Sequence, residues 1–290
     1  MTPSTVLITG ASTGIGLASA IALDRYGFRV FAGVRKEQDA ERLKTQASDR
    51  LIPLLIDVTD QASITRAFET VKKTVGDAGL DGLINNAGIG LIGPVEYLPL
   101  SDLRYQFEVN VFGQISVTQA FLPLLRQANG RIINIGSVGD RIAIPFGGAL
   151  CASKSALASL NDALRLELSA WGIKVCLIEP AAISTPGVDK VKAESEKLIE
   201  TLPKEGAQLY ASMLRRFIQR FIEREKRGSS PDVVATVVLD ALTASHPKTR
   251  YPVGKDSMFL TTLANWMPDK VLDRIRLRMF GLDAKSITYK

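Results

Sequence analysis

A glycine-rich segment near the amino terminus has residue types and a spacing that suit the binding of a phosphate group. It reads TGASTGIG, residues 9–16, and joins a short apolar run to a helical pattern. Gly10 permits a tight turn, Gly14 lets a phosphate approach the backbone, and Gly16 allows close packing of a helix on a strand. The amides of the first helical turn would then face a diphosphate, although a turn without a ligand is the alternative interpretation. The other loop residues expected at this site are Ser12, Thr13 and Ile15.

This loop belongs to an alternation of short apolar runs and longer segments with helical spacing. The apolar runs are continuous, as expected of strands that are covered on both faces. They are TVLITG (5–10), FRVFAGV (28–34), LIPLLID (51–57), GLINNAG (82–88), RIINIGS (131–137) and KVCLIEP (174–180). The helical segments between them are 14–26, 38–47, 61–75, 101–127 and 149–170. The alternation predicts an α/β fold with a Rossmann-type, doubly wound parallel sheet.

The pattern changes after Pro180. A polar, amphipathic helical segment follows and predicts an insertion over the substrate side of the sheet edge. A helix over 231–244 and a strand at 250–254 come next, and no linker or internal repeat interrupts the chain. We therefore expect a single domain over 1–290. Its expected parts are a dinucleotide-binding and catalytic core (1–185), a helical substrate lid (186–228) and a C-terminal helical extension (255–290).

Composition limits the classes of function. Two cysteines, Cys151 and Cys176, and one histidine, His246, argue against a disulfide framework, a metal site and histidine catalysis. A reducing compartment and an amino terminus without a signal-peptide pattern predict a cytoplasmic protein. The net charge is +6, but the basic residues do not follow an aromatic-interleaved face, so nucleic-acid binding is not expected. The absence of a run of about 18 apolar residues argues against a spanning helix.

Several short motifs resemble those of the short-chain dehydrogenase/reductase family. They are the glycine-rich loop, NNAG (85–88), EVNVFG (108–113), GS (136–137), ASK (152–154) and EPAAIST (179–185). Their order and separations fit the family over about residues 5–185, and the layout fits to about residue 255. The stretch PFGGALCASKSALASLNDALRLEL, with the helical insertion, resembles the branch that acts on retinoids, steroids and related lipophilic carbonyls. The resemblance implies an NAD(P)-dependent oxidoreductase.

The resemblance also implies which residues surround the cofactor. In addition to the glycine-rich loop, these are Asp57 and Val58 at the adenine, Asn86, Ala87 and Gly88 at the ribose, Pro180, Ile183 and Thr185 at the nicotinamide half, and Lys154. NAD-selective members usually end the second strand with a carboxylate, whereas this chain has Val34 there. Arg35 can pair with a 2′-phosphate through its planar fork, and Lys36 adds positive charge. NADP(H) is therefore favoured over NAD(H), with a solvated surface arginine as the alternative for Arg35.

The resemblance assigns the reaction chemistry to four positions. In relatives a serine orients the substrate oxygen, a tyrosine four residues before a lysine transfers the proton, and an asparagine helps to carry a water. By matching, the serine is Ser137, the lysine is Lys154 and the asparagine is Asn110. The tyrosine position is Leu150, which has no proton to give. Cys151 is adjacent, but the next residue on a helix points about 100° away.

Three explanations of Leu150 stay open. The sequence could be engineered to trap a ligand, it could be a natural member that binds a dinucleotide for sensing or structure, or water, Ser137 or another group could supply the proton. A positioned acid or base contributes about 10²–10⁴-fold to a rate, so activity is expected to be impaired. Ala181, where relatives usually have glycine, is a second departure. Two functions therefore compete: an oxidoreductase for a lipophilic alcohol and carbonyl pair, and a catalytically silent dinucleotide-binding or interaction protein.

The substrate wall and the partners are expected from the remaining segments. Residues 139–148 and the apolar face of 205–222 would form the wall, although packing alone could explain them. The wall residues expected are Ile142, Ile144, Phe146, Leu209, Met213, Leu214 and Phe217. The basic tail helix DKVLDRIRLRMF could lie on a membrane surface, but docking onto its own domain or a second subunit is favoured. Relatives often pair through the helices at 101–127 and 149–170, which implies a homo-oligomer.

Overall fold

A parallel sheet of seven strands forms the centre of the fold. The computed structural model describes residues 4–283. The strands are β1 (Thr5–Ile8), β2 (Arg29–Val34), β3 (Leu51–Leu55), β4 (Gly82–Asn85), β5 (Arg131–Ile135), β6 (Lys174–Pro180) and β7 (Arg250–Val253). Their order in the sheet is β3-β2-β1-β4-β5-β6-β7, and every neighbouring pair is parallel. The predicted Rossmann-type fold is confirmed, and the strand order reverses between β1 and β4, where such sheets bind ligands.

Helices cover both faces of the sheet. They are α1 (Gly14–Tyr26), α2 (Glu37–Lys44), α3 (Gln61–Val75), α4 (Leu100–Phe107), α5 (Gly113–Ala128), α6 (Gly148–Glu167), α7 (Gly187–Thr201), α8 (Lys204–Lys226), α9 (Pro231–Thr243), α10 (Ser257–Trp266) and α11 (Asp269–Met279). Buried side chains of α1, α2 and α9 form one core on one face of the sheet. Those of α3 and α5 form a second core on the other face. This two-sided burial explains why the strand sequences are continuous apolar runs.

Local signals set the ends of several helices. α1 ends at Gly27, whose φ of 109° is accessible to glycine at little cost. α3 begins after Asp60, whose side chain accepts a hydrogen bond from the Ala62 backbone amide at 2.9 Å. α9 begins after Ser230 with Pro231 at its first position. The strands end two or three residues earlier than several of the predicted runs, so those last residues lie in loops at the carboxyl edge.

Two predicted helical segments are divided in the structure. The segment 101–127 contains α4, a π-helical turn at Glu108–Phe112, and α5. The predicted lid, 186–228, separates into α7 and α8 because Leu202 is extended (φ −60°, ψ 137°) before Pro203. Proline disfavours a helical conformation in the residue before it, which explains this second break.

The C-terminal extension contains α10 and α11, and α11 docks onto its own domain. Leu272 is buried, and Phe280 and Leu282 join the apolar cluster formed by the inner face of α8. Residues 284–290 of the predicted extension lie outside the described residues, and the division of the domain stays a prediction. In residues 4–283, no helix is both long and apolar enough to cross a membrane. This same part of the chain holds no group of three or more histidine, cysteine or acidic side chains placed to bind a metal ion.

Candidate active site

The glycine-rich loop between β1 and α1 packs so closely against its neighbours that side chains would not fit at its glycines. Gly10 and Gly14 have φ values of 67° and 58°. A Cβ on Gly16 would overlap the Gly10 carbonyl oxygen and the Asn86 side-chain amide. A Cβ on Gly14 would lie 3.2 Å from Thr185. The loop is therefore packed closely against its neighbours and open along its backbone, as a diphosphate cradle at a helix N-terminus requires.

Asn86 and Thr9 hold this loop against the end of β4. The Asn86 side-chain amide donates to the Thr9 and Gly10 carbonyl oxygens at 2.9 and 3.1 Å. The Thr9 hydroxyl accepts from the backbone amides of Asn86 and Ala87, each at 3.0 Å. Asn86 lines the crevice, but its amide fixes the loop. Thr9 was not predicted from the sequence, although it directly follows β1 at the start of the glycine-rich loop.

A crevice of about 510 Å³ runs along the carboxyl edge of the sheet at the reversal of strand order. Most of the predicted cofactor residues line it: Gly10, Ser12, Thr13, Gly14, Ile15, Gly16, Arg35, Asp57, Val58, Asn86, Ala87, Gly88 and Thr185. Lys154, Pro180 and Ile183 do not line it. The volume lies within the range of small-molecule and cofactor pockets. The loop and the crevice therefore fit a nicotinamide dinucleotide, while the individual cofactor contacts stay predictions.

The end of the crevice at β2 is basic. Arg35 and Lys36 are exposed there, and Val34 at the strand end is buried. Arg42 also lines this end, donating to the Ser12 carbonyl oxygen at 2.7 Å and pairing with Asp39 at 2.8 Å. Arg42 was not predicted from the sequence. Gln38, one turn earlier on α2, also lines the crevice, so both lie on one helix face.

Asp57 is fixed by its own turn. Its carboxylate accepts from the Thr59 backbone amide at 2.9 Å and from the Thr59 hydroxyl at 2.7 Å. Its backbone amide donates to the Ser63 hydroxyl at 2.9 Å. The loop after β3 is thus rigid where it borders the crevice.

Asn110 and Lys154 meet beside Gly88. Asn110 lies in the π-helical turn, where its amide exchanges hydrogen bonds with both backbone groups of Ile89, at 2.8 and 2.9 Å. A Cβ on Gly88 would lie 3.3 Å from Asn110 Oδ1 and 3.9 Å from Lys154 Nζ. Lys154 donates to the Ile135 carbonyl oxygen at 2.7 Å. Burial lowers the pKa of Lys154 to about 8, against the opposing influence of Asp140.

An apolar cavity of about 180 Å³ lies at the carboxyl ends of β5 and β6. It is lined by Ser137, Leu150 and Cys151, and by Ala181 and Ala182 of the loop after β6. Further residues that line it are Val138, Gly139, Ile142, Ile144, Phe221, Arg224, Glu225, Leu260, Arg276, Met279 and Phe280. Because Thr185 of the same loop borders the crevice, the cavity and the crevice adjoin at this loop.

The predicted substrate wall is correct in part. Ile142 and Ile144 line the cavity, but Phe146, Met213, Leu214 and Phe217 pack in the apolar cluster beside it. The prediction for Leu209 was wrong, since it is 53% exposed. α8 presents its last turns to the cavity rather than its first, because Ser229 and Ala182 join its carboxyl end to the loop after β6.

Ser137 and Cys151 both line the cavity, but they differ in whether their hydrogen is available to a substrate. The Ser137 hydroxyl accepts from the Gly139 amide at 3.0 Å, so its own hydrogen is available to a substrate oxygen. The expectation that Cys151 points away was wrong, since it lines the cavity beside Leu150. Burial raises the pKa of the Cys151 thiol, which donates to the Ile142 carbonyl oxygen at 3.7 Å. Cys151 is therefore a neutral thiol that faces an acceptor in its own chain.

Glu225 is the acidic side chain that borders the cavity. It is partly buried in the last turn of α8, and its Oε2 accepts from the Ile183 backbone amide at 3.3 Å. Burial raises the pKa of Glu225 to about 7, against the opposing effects of the Ile183 amide and Arg224. The sequence analysis missed this residue because an amphipathic helix with many charges gives no sign of which charge faces inward.

A cluster of charged side chains supports the loop that carries Ser137. Arg250 of β7 pairs with Asp140 at 2.9 Å, Asp162 at 2.7 Å and Glu179 at 2.8 Å. Arg141 also pairs with Glu179, at 3.1 Å. Burial, and then the nearby Glu179, raises the pKa of Asp140 to about 6. One guanidinium thus holds together the Ser137 loop, α6 and the end of β6.

Comparison of the chain with known proteins gives consistent results. A family model for short chain dehydrogenases matches residues 4–196. The chain is 38% identical to human dehydrogenase/reductase SDR family member 9 over 286 residues, which cover 96% of this chain and 88% of the relative. It is 36% identical to mouse retinol dehydrogenase 5 over 294 residues, which cover 98% and 91%.

Solved structures share the fold over nearly the whole chain. A short-chain dehydrogenase from Streptomyces avermitilis superimposes with a TM-score of 0.76 at 26% identity, covering 96% of this chain and 95% of that one. A short-chain dehydrogenase from Burkholderia cenocepacia, in complex with NADP, gives a TM-score of 0.71 at 26% identity, covering 95% and 97%.

Proposed function

Because the chain belongs to the short-chain dehydrogenase/reductase family, in the branch of the retinol and steroid dehydrogenases, we propose that it interconverts a lipophilic alcohol and its carbonyl with NADP(H). The observation that carries this proposal is the apolar cavity at Ser137, which adjoins the phosphate-binding crevice through the loop after β6. The relatives include retinol dehydrogenases and a bovine 17-beta-hydroxysteroid dehydrogenase type 6, which supports a lipophilic substrate.

Different residues of this chain have different roles in the proposed reaction. A dinucleotide bound in the crevice supplies or accepts the hydride. The Ser137 hydroxyl donates to the substrate oxygen, and the Asn110 amide fixes the loop that contains Gly88 and Ile89. Lys154, held against the Ile135 carbonyl oxygen, places a positive charge near the crevice. The apolar cavity wall excludes water from the reacting carbonyl.

Fluorescence titration with NADPH and NADH, followed by turnover assays on aldehydes, retinoids and steroids, tests the proposal. Binding of NADPH with turnover of at least one lipophilic carbonyl or alcohol is the expected result. If neither nucleotide binds, the proposed function is wrong. If NADPH binds tightly and no substrate is turned over, the second candidate, a catalytically silent dinucleotide-binding protein, gains support. Leu150 and Ala181 in the cavity wall favour this second candidate.

The preference for NADP(H) is tested at Arg35. Arg35→Ala is expected to weaken NADPH binding about 10–100-fold and to leave NADH binding unchanged, because hydrogen bonds to charged groups contribute about 1.5–3 kcal/mol. Arg25→Ala is the matched control, since Arg25 is an exposed arginine in the last turn of α1. Equal losses for both nucleotides in the fluorescence titration would show that Arg35 does not recognise the 2′-phosphate.

We also propose a homo-oligomer that pairs through α4, the π-helical turn, α5 and α6. Exposed apolar side chains on these elements support it, namely Tyr105, Phe112, Leu160 and Leu166. Leu166→Glu is expected to raise the dissociation constant at least about tenfold, because it would bury an unpaired charge. Met258→Glu, at an exposed position on α10, is the control. Light scattering after size-exclusion chromatography measures the dissociation of both variants. If the unaltered chain is monomeric, the proposed homo-oligomer is wrong.

Contact with a membrane surface and the cytoplasmic location of the protein both stay predictions. The exposed side chains of Met258, Phe259 and Trp266 on α10 lie next in sequence to the basic helix α11, which supports contact with an anionic surface. The cytoplasmic location rests on the two cysteines, which are both free thiols.

A further inference from the structure

The cavity at Ser137 contains one carboxyl group, that of Glu225. We propose that Glu225 donates and accepts the proton in the reaction of this chain, a role that relatives give to the tyrosine at the position of Leu150. This inference rests on the proposed oxidoreductase function. It would give a chain with leucine at that position a route for the proton.

The backbone places Glu225 firmly at this cavity. The Ser229 amide donates to the Ala182 carbonyl oxygen at 3.0 Å, and the Ser184 amide donates to the Ser229 carbonyl oxygen at 2.9 Å. These bonds join the carboxyl end of α8 to the loop after β6. The carboxylate itself accepts from the Ile183 amide at 3.3 Å. Glu225 is thus attached to the loop that separates the cavity from the dinucleotide crevice.

The other polar groups near the cavity are less suited to transfer a proton. The Cys151 thiol has a raised pKa and faces the Ile142 carbonyl oxygen. Lys154 donates to the Ile135 carbonyl oxygen and does not line the cavity. The tyrosines within residues 4–283 all lie away from the cavity lining. Ser137 can orient a substrate oxygen, but an unperturbed hydroxyl is a poor acid.

The electrostatic surroundings suit a group that changes charge near neutral pH. Burial raises the pKa of Glu225 to about 7, which is close to the value that makes a general acid most effective. The opposing charge of Arg224 is partly neutralised by Asp256 at 3.4 Å. Arg276 of α11 also lines the cavity, and its Nε has no acceptor among the described residues.

In reduction the O–H bond of the Glu225 carboxyl breaks, an O–H bond forms on the substrate oxygen, and the carbonyl carbon receives the hydride of the reduced dinucleotide. Glu225 is left as a carboxylate and regains a proton from water. In oxidation the carboxylate takes the alcohol proton. Reduction therefore requires the protonated form and falls as pH rises through about 7, whereas oxidation rises over the same interval.

The test compares Glu225→Gln with Glu223→Gln, a control on the same helix whose carboxylate contacts Gln219 and Arg220. We expect kcat/KM to fall about 10²-fold in Glu225→Gln and to stay unchanged in Glu223→Gln. Glu225→Asp, which keeps a carboxyl, should retain part of the rate and the pH dependence. In the double variant Leu150→Tyr/Glu225→Gln, the new hydroxyl should restore turnover, which a merely structural role for Glu225 would not predict.

A second measurement does not depend on turnover. Infrared difference spectroscopy of the unaltered protein should show the stretch of a protonated carboxyl that disappears with a midpoint near pH 7. The component with a midpoint near pH 7 should be absent from Glu225→Gln and present in Glu223→Gln, whereas the band of Asp140, whose pKa is about 6, should remain in both.

The outcomes separate this inference from the proposed function. If the unaltered chain turns over a carbonyl and Glu225→Gln is as active as Glu223→Gln, Glu225 does not transfer the proton. The same conclusion follows if the unaltered chain binds NADPH but only the Leu150→Tyr form is active, a result that leaves the family chemistry intact. Failure to bind either nucleotide would instead reject the proposed function.

Discussion

Leu150→Tyr is expected to raise kcat/KM for carbonyl reduction about 10²-fold, because it returns a hydroxyl to the cavity wall one helical turn before Lys154. The lysine charge should lower the pKa of this tyrosine from its reference value of about 10 toward the working pH. The gain lies at the lower end of the range for a positioned acid because Glu225 already supplies protons. In the Glu225→Gln background, Leu150→Tyr should raise kcat/KM about 10⁴-fold.

Leu150→Phe is the matched control, since it adds the ring without the hydroxyl. Initial rates with NADPH and a panel of lipophilic carbonyls compare the unaltered chain with Leu150→Tyr and Leu150→Phe. Equal rates for the phenylalanine and tyrosine forms would show that cavity shape, not proton transfer, limits the reaction. Absence of turnover in the tyrosine form, with tight NADPH binding, would favour the silent dinucleotide-binding protein.

Arg250→Met is expected to lower the free energy of unfolding by about 3 kcal/mol, as breaking a buried ion pair leaves a charge without its partner. Breaking a buried ion pair usually costs about 3–5 kcal/mol, and we expect the lower value because the Arg250 side chain is 25% exposed. Glu179, with a fully buried side chain, and Asp140 would both lose their shared cation. The loop that carries Ser137 should loosen as a result.

The pH dependence of this loss has a defined sign. Burial and Glu179 raise the pKa of native Asp140 from its usual 3.8 to about 6, so its ionisation costs stability as pH rises through this interval. Arg250 lowers the pKa of Asp140. Without Arg250 this pKa should be higher, so the ionisation of Asp140 should go on reducing the free energy of unfolding up to a higher pH. The loss should therefore be larger at pH 8 than at pH 5. Urea unfolding measures it, with Arg66→Met, from an exposed pair with Asp60 at 3.8 Å, as the control. Equal effects of the two variants would contradict the prediction.

The sequence predicts the parts of this molecule that depend on local patterns. The strands, the phosphate loop and α1 follow from continuous apolar runs and from glycines that no other residue could replace. The residues at the carboxyl ends of the strands could be placed together because parallel strands bring their ends to one edge. Leu150 was recognised as a departure because the family that the sequence resembles has a tyrosine four residues before the lysine that matches Lys154.

The parts that were not predicted depend on contacts between distant segments. Arg42 contacts the phosphate loop from 30 residues away, and Glu225 reaches Ile183 across 42 residues. Leu209 and Phe217 lie on the same amphipathic helix, yet only Phe217 is buried, because α8 meets the loop after β6 at its carboxyl end. The π-helical turn had no signal in the apolar spacing, since Asn110 is held there by the backbone of Ile89.

The position of Arg250 has a consequence for how the protein is made. Glu179 and Asp140 leave the ribosome 71 and 110 residues before the guanidinium that neutralises them. A nascent chain that has completed β6 therefore still has Asp140 without its guanidinium, whereas Glu179 can already pair with Arg141. Chains that stop before residue 250 would lack the cation that Asp140 and Glu179 share at the sheet edge, and we expect them to be less stable.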